Sequence, residues 1–467
     1  MGPNRLREGE GAIRRDRTLA FMFDGKRYAG HPGDTLASAL LASGVRLVAR
    51  SFKYHRPRGI LTAGSEEPNA LVELRTGARR EPNTRATVVE LFDGLEARSQ
   101  NRWPSLGLDF GAINSLLSSV FIAGFYYKTF MWPAAFWEKV YEPAIRRAAG
   151  LGRASLEADP DTYEKVHAFC DLLVIGGGPA GLAAALAAGR AGARVILCDE
   201  DFLLGGRLNG DRHEIDGTGG ALWATQTADE LAALSEVRVL RRTTVFGVYD
   251  GNTFGALERV ADHLAVPAAH QVRQRLWKIV ARRTVLAAGA LERPIVFGGN
   301  DRPGVMLASA VRTYVNRFRV TPGHRTAVFT ACDDGWKTAF DLNDAQVDVP
   351  VIADARREIP AMLENQATRR GLRVMRGAQI LDAHGAKGVS GIDVRDEHGR
   401  ITRIGTDALA VAGGWDPNTA LSTHLGARPL WSDAIGAHVP AGLPRGMTAV
   451  GAAAGELSLA GALRAGA

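Results

Sequence analysis

The sequence is poor in cysteine, has no long uninterrupted apolar run and carries no block of one charge sign. Each shortage removes a class of protein. Three cysteines in 467 residues, Cys170, Cys198 and Cys332, are too few and too widely spaced for a disulfide framework or a thiolate metal site. They read as buried thiols in a reducing compartment, so a cytoplasmic location is expected. The net charge of +7 is scattered along the chain, with only short clusters such as Arg14, Arg15 and Arg17. No basic stripe interleaved with aromatics is present, which argues against a nucleic-acid partner. The charged N-terminus MGPNRLREGEGAIRRDR has no apolar segment behind it and does not read as a signal peptide. The stretch INSLLSSVFIAGFYYKTF, Ile113 to Phe130, contains Asn114, Gly124 and Lys128 and only reaches the lower length limit for a bilayer span. It reads as a helix packed at an interface, with no membrane association. Motifs of the G-x-S-x-G, H-E-x-x-H and C-x-x-C types are missing, and His31, His55 and His213 read as surface or core polar residues. No catalytic residue and no metal ligand is assigned.

Glycine, in contrast, is abundant at 54 residues, as suits an α/β nucleotide-binding protein of several domains. Residues 1–16 are charged and read as a mobile arm. In LAFMFDGKRYAG a DG turn separates two short apolar runs, the signal of a hairpin. Asp34 or Thr35 then caps a helix with Leu36, Leu40 and Leu41 on its apolar face, and ALVEL and ATVVELFDGLEA supply returning strands. Together they predict a β-grasp domain over 17–98 that resembles a plant-type ferredoxin. Where a ferredoxin places clustered cysteines, this chain has RPRGILTAG, Arg56 to Gly64, without a single thiolate for an iron–sulfur cluster. Residues 99–168 are a connector rich in aromatics, including Trp103, Trp132 and Trp137, a composition common at interfaces.

The strongest pattern starts at Phe169. FCDLLVIGGGPAGLAAALAAGRAGARVILCDE is a buried strand, a glycine turn, a helix and a second strand ending in acids. Gly176 permits a tight turn, Gly178 lets backbone approach a pyrophosphate, and Gly181 lets the helix lie close to the strand. Phosphates then meet the free N–H groups near Pro179 and Ala180. Asp199, with Glu200 beside it, is placed to accept hydrogen bonds from a ribose diol, which favours NAD or FAD over NADP. Gly205 and Gly206 follow as a second doublet, and Val245, at the end of a third strand in VLRRTTVFGVYD, is a candidate backbone contact for adenine. In the nested segment TACDDG replaces the glycine fingerprint, so a scaffold is expected there. In the last motif, VGAAAG, Ala452 and Ala453 stand where many flavoproteins of this kind carry an acid. That shifts the expectation from FAD to NAD.

With SFKYHRPRGILTAGSEEPNALVEL, AGFYYKTFMWP, LERPIVFGGNDRPGVMLASAVRTYVNR and GGWDPN in this order, the chain resembles the α-subunit family of heterotetrameric sarcosine oxidases. The resemblance implies an α/β, two-dinucleotide-binding-domain flavoprotein-type fold with an N-terminal β-grasp, ferredoxin-like domain lacking its iron–sulfur cluster. The implied division is an NAD-binding Rossmann-type domain at 169–300 and 408–467, with a degenerate second dinucleotide fold nested at 301–407. It implies NAD on this chain, held also by Asp201, Arg207 and Leu457, and FAD and FMN in the complex, the FMN near the interface with the β subunit. The implied partners are β, γ and δ subunits. The implied reaction is oxidative demethylation of sarcosine to glycine, with a one-carbon unit and hydrogen peroxide, by a complex in which this chain is inactive alone. The family continues into a folate-binding domain, whereas this sequence stops at Ala467 within the last motif, so a fragment or a separate chain for the remainder is expected. A subunit of an FAD-dependent opine- or proline-type dehydrogenase, and a non-redox nucleotide-binding scaffold, remain as alternatives.

Overall fold

Asp24 and Gly25 both sit at positive φ, 48° and 76°, the geometry an Asp-Gly pair favours between two strands. They close the expected hairpin between Leu19–Phe23 and Lys26–Gly30. The structure is a computed structural model that describes residues 2–7, 9, 11–119, 124, 132–150 and 152–467. It divides into two units, Met1–Pro160 with Pro294–Ala412, and Asp161–Arg293 with Gly413–Ala467.

In the first unit the hairpin joins a five-stranded sheet, in which Leu19–Phe23 pairs in parallel with Leu95–Ser99. Helix Leu36–Ala42 packs with all seven residues buried, and Thr35 caps it in a reciprocal box with Ser38. Asp34, the alternative cap, instead pairs with Arg5 at 2.7 Å, with side chains 0% and 2% exposed respectively. This corrects the expectation of a mobile arm. Asp34 also accepts from His31 N and Ser38 Oγ, and a carboxylate so buried needs a cation, which the arm supplies. Ile13 of the arm is likewise buried in the core. The returning strands also differ from expectation: Glu81–Arg85 supplies one, while Ala86–Val88 forms a helical turn.

The remainder of this unit is the nested fold, a parallel sheet in the order Val305–Leu307, Ala408–Ala412, Thr326–Thr330, Ile352–Asp354, Val374–Met375. Ala408–Ala412, expected to return the chain to the first dinucleotide domain, is paired on both sides within this sheet, so the nested fold runs from Pro294 to Ala412. One apolar core runs through both parts, containing Leu36 and Leu40 of the grasp helix together with Tyr314, Phe318 and Trp336. The Tyr314 hydroxyl donates to the Thr62 carbonyl at 2.9 Å.

The connector carries exposed apolar side chains where it is described, Trp103, Leu116 and Trp132 among them, the last 84% exposed. Asp109 caps the turn Phe110–Ser115 and holds the buried His55 through Nδ1 at 2.7 Å. Phe125 and Tyr126, central to the expected interface helix, lie outside the described residues. Among the described residues no helix is long and apolar enough to cross a membrane.

In the second unit, two thirteen-residue strands, Tyr163–Ile175 and Gln274–Leu286, pair in parallel at the centre of a seven-stranded sheet. The first begins within the expected connector, ahead of the expected boundary at Phe169. VLRRTTVFGVYD is two strands, Val237–Leu240 and Thr243–Tyr249, parted by Arg242 at φ 56°. Helix Pro179–Arg190 follows the central strand, and Leu459–Gly466 packs on it.

Candidate functional site

The second unit brings the glycine turn, its helix and the end of the neighbouring strand together. Gly176 has φ 105°, and a Cβ there would lie 2.3 Å from the Ala287 carbonyl oxygen. A Cβ on Gly181 would lie 1.8 Å from the Gly176 oxygen, so the helix reaches the turn only without a side chain. Gly178 is different: a Cβ there would meet nothing within 4 Å. Space is thus kept on the side where a ligand approaches. Gly178 is also the helix N-cap, with no side chain capping it, so the first-turn N–H groups at Ala180 and Gly181 are directed toward this space.

Asp199, just past strand Val195–Cys198, turns its carboxylate onto the loop. Oδ2 accepts from Gly177 N at 2.5 Å and Oδ1 from Asp201 N at 2.8 Å. Burial, followed by the Asp201 charge and with Glu200 adding less, pushes its pKa up from 3.8 to about 7, against the pull of the two backbone bonds. Glu200 is exposed, and its carbonyl accepts from Arg259. The glycine doublet lies against the same loop: Gly205 N donates to the Gly177 oxygen at 2.8 Å, and a Cβ on Gly206 would lie 3.1 Å from Gly178 Cα. Arg207 follows, paired with Asp211 at 3.0 Å. From the far side of the sequence, Gly451 brings the last motif onto the helix, its own Cβ direction 2.8 Å from Ala180 Cβ. Ala452 is half-buried beside it. Thr243 N donates to the Asp199 oxygen, and Val245, two residues on, is buried in the strand and paired with Ala256. Its side chain is core, and it lies within the strand, not at its end. Leu457 is exposed. Glu456, an acid in the last motif without a signal of its own in the sequence, accepts from Ser458 N and Oγ and so serves the start of the following helix. Trp415 and Asp211, which bracket Arg207, were likewise not anticipated from the sequence.

A dinucleotide fits this cradle. The space beside Gly178 and the helix N-terminus suit a pyrophosphate, and Asp199 suits a ribose diol. The nested fold offers no second such site among the described residues. Gly335 keeps the packing role of a third fingerprint glycine, since a Cβ there would meet Thr330 at 2.5 Å. The ligand-facing positions hold Cys332, Asp333 and Asp334 instead. Asp334 is paired with the buried Arg312, and Asp333 and Asp354 with Arg356, so carboxylates occupy the helix start where a phosphate would bind.

The ferredoxin-like loop has no ligands for a cluster. No cysteine lies between residues 16 and 102, and the three cysteines elsewhere are unpaired. Burial pushes the Cys170 thiol up to about 12. Among the described residues no group of three His, Cys, Asp or Glu side chains is placed to hold a metal. An iron–sulfur cluster does not fit. Glu67, 1% exposed, fills the loop with an internal anion. Its Oε2 accepts from the N–H groups of Leu61 and Thr62 and from the Thr62 hydroxyl, and its Oε1 from the N–H groups of Asn69 and Ala70. Arg56 and Arg58 of the same loop both pair with Asp301.

Residues 16–102 match the family described as 2Fe-2S iron-sulfur cluster binding domain, and residues 170–434 match pyridine nucleotide-disulphide oxidoreductase. The first match therefore concerns the fold of a domain whose thiolates are missing here. A sarcosine oxidase subunit alpha of Rhizobium meliloti (strain 1021) is 56% identical over 98% of this chain and 46% of its own length. One of Corynebacterium sp. (strain U-96) is 38% identical over 100% of this chain and 45% of its own length. The chain thus spans about half the length of these curated relatives. Among solved structures, L-proline dehydrogenase from P. horikoshii matches over 100% of this chain and 74% of its own, with a TM-score of 0.65 at 19% identity, a likeness of fold. The chain is thus similar along nearly its whole length to sarcosine oxidase alpha subunits, of which it spans about half, and the match over more than half of its residues establishes that it belongs to the pyridine nucleotide-disulphide oxidoreductase family.

Proposed function

We propose that this chain binds NAD in its second unit and serves as the docking subunit of a sarcosine-oxidising complex whose flavins lie mainly on a β subunit. The observation that carries the nucleotide reading is the cradle of Gly178, the uncapped helix start and Asp199. Asp199 accepts the ribose hydroxyls, and the N–H groups of Ala180 and Gly181 face the pyrophosphate. Ala452, together with the engagement of Glu456 by Ser458, favours NAD over FAD, because neither presents a carboxylate to a flavin ribityl chain. Bound NAD supplies a fixed dinucleotide that orders the loop. Oxidation of sarcosine, with FMN near the α/β interface and oxygen as acceptor, is assigned to the assembled complex. Sarcosine-dependent peroxide formation by the isolated chain tests this. No turnover is expected until the flavin-bearing partner is added, and robust turnover by the chain alone contradicts the assignment.

The partner-facing surface is assigned to the exposed aromatics of the connector. Trp103 and Trp132 present large apolar areas that a free monomer would not favour leaving in water. Replacing both with serine is expected to reduce co-purification of the flavin-bearing partner while leaving the thermal unfolding of the chain unchanged. Undiminished co-purification would remove the connector from the interface.

A further inference from the structure

A dinucleotide that enters with its adenosine ribose at Asp199 and its pyrophosphate at Gly178 next meets the segment beginning at Gly206, where a Cβ would be a tight fit 3.1 Å from Gly178 Cα. A pyrophosphate carries about two negative charges, while a helix N-terminus offers about half a positive one. Arg207 is the residue that follows. Its guanidinium lies over the Trp415 ring, 4.0 Å from the centroid, and its Nη2 is 3.0 Å from Asp211 Oδ2. Asp211 is itself anchored, with its N–H donating to the Arg207 carbonyl at 2.8 Å and its side chain largely buried. Trp415 is held by strand pairing opposite Glu292, and its neighbour Asp416 pairs with Arg293. A long, solvent-accessible arginine ordinarily samples many rotamers. Here an aromatic face and a carboxylate hold it in one place.

We propose that Trp415 and Asp211 are positioning residues that hold the Arg207 guanidinium as a fixed cationic clamp on the pyrophosphate of the bound dinucleotide. The proposal rests on the nucleotide reading above and adds the part of the ligand that Arg207 recognises and the means by which it is held. It gives the site a preference for pyrophosphate-containing ligands over the nucleoside alone.

The test is calorimetric binding of adenosine, ADP-ribose and NAD to the full 467-residue chain and to its Arg207→Gln, Asp211→Asn, Trp415→Phe and Trp415→Leu variants. Arg207→Gln is expected to weaken ADP-ribose and NAD about tenfold and to leave adenosine unchanged. Trp415→Leu should reproduce most of that loss, Trp415→Phe should retain affinity because a ring face remains, and the Arg207→Gln/Trp415→Leu double variant should be no weaker than Arg207→Gln. Losses that multiply in the double variant, or an equal loss for adenosine, would overturn the clamp and leave Trp415 a packing residue. Should Trp415→Leu fail to fold, Arg207→Gln and Asp211→Asn decide the matter: unchanged affinity for ADP-ribose in both overturns the proposal. A wild-type chain that binds adenosine as tightly as ADP-ribose and NAD overturns the clamp alone. One that binds none of the three removes the nucleotide reading itself.

Discussion

Replacing Asp199 with alanine is expected to weaken NAD binding about ten- to a hundredfold, equivalent to roughly 1.5–3 kcal/mol for a charged acceptor lost from a ribose diol. Glu200 offsets only part of this, because it is exposed to solvent. The same carboxylate makes binding pH-dependent. Its pKa in the nucleotide-free fold, raised to about 7, lies above its ordinary value of 3.8. Between those values the folded chain holds a proton that the unfolded chain has lost, so the stability contributed by this group falls as pH rises through the window. Ribose hydroxyls favour the charged acceptor, so NAD affinity should rise over the same range and flatten above about pH 7. Titrations of NAD binding at several pH values should show this slope in the wild type and lose it in Asp199→Ala. A pH-independent wild-type affinity, or an alanine variant that binds as tightly, would place the ribose elsewhere.

The second large effect concerns Glu67. Its carboxylate satisfies four backbone N–H groups and one hydroxyl in a buried loop, and Glu67→Ala strands them without water. Orphaned buried donors cost about 1–3 kcal/mol each before relaxation, so a loss of about 3–5 kcal/mol from the first unit is expected. Lys26→Ala, at an exposed position of the same unit, is the control and should change stability by less than about 0.5 kcal/mol. Denaturant unfolding of the two variants distinguishes them, and equal midpoints would deny Glu67 its role as the loop's internal anion. The physical reason for so large an effect is the missing cluster. A ferredoxin loop wraps an anionic group with its backbone donors, and in this chain a carboxylate is the group available.

The glycine cradle was legible in the sequence because backbone geometry leaves no other residue possible at Gly176 and Gly181, where a Cβ would collide with carbonyl oxygens. The hairpin was legible for a similar reason, since Asp24 and Gly25 both need positive φ. Features that depend on distant partners were not. Arg5 looks like one more charge in a charged arm, and only the fold reveals Asp34 as its partner. LAVAG reads as a buried parallel strand equally well in either sheet, and only the pairing puts Ala408–Ala412 in the nested one. Nothing in the sequence marks the break at Arg242, because arginine carries no turn signal, although its φ of 56° makes a turn there. Glu67 sits in SEEPNA as an ordinary loop acid; its burial follows from the packing of Tyr314 and Leu307 against the same loop. Trp415 and Arg207 are separated by most of the nucleotide domain and the nested fold, and no local pattern links them.

Everything proposed for the second unit depends on this subunit carrying NAD, and everything proposed for the first on its carrying no iron–sulfur cluster. The direct measurement is to determine iron in the purified chain, then denature it, release its nucleotide and identify that nucleotide by mass. One NAD per chain and no stoichiometric iron are expected. Stoichiometric FAD on this chain, or iron at cluster stoichiometry, would contradict it.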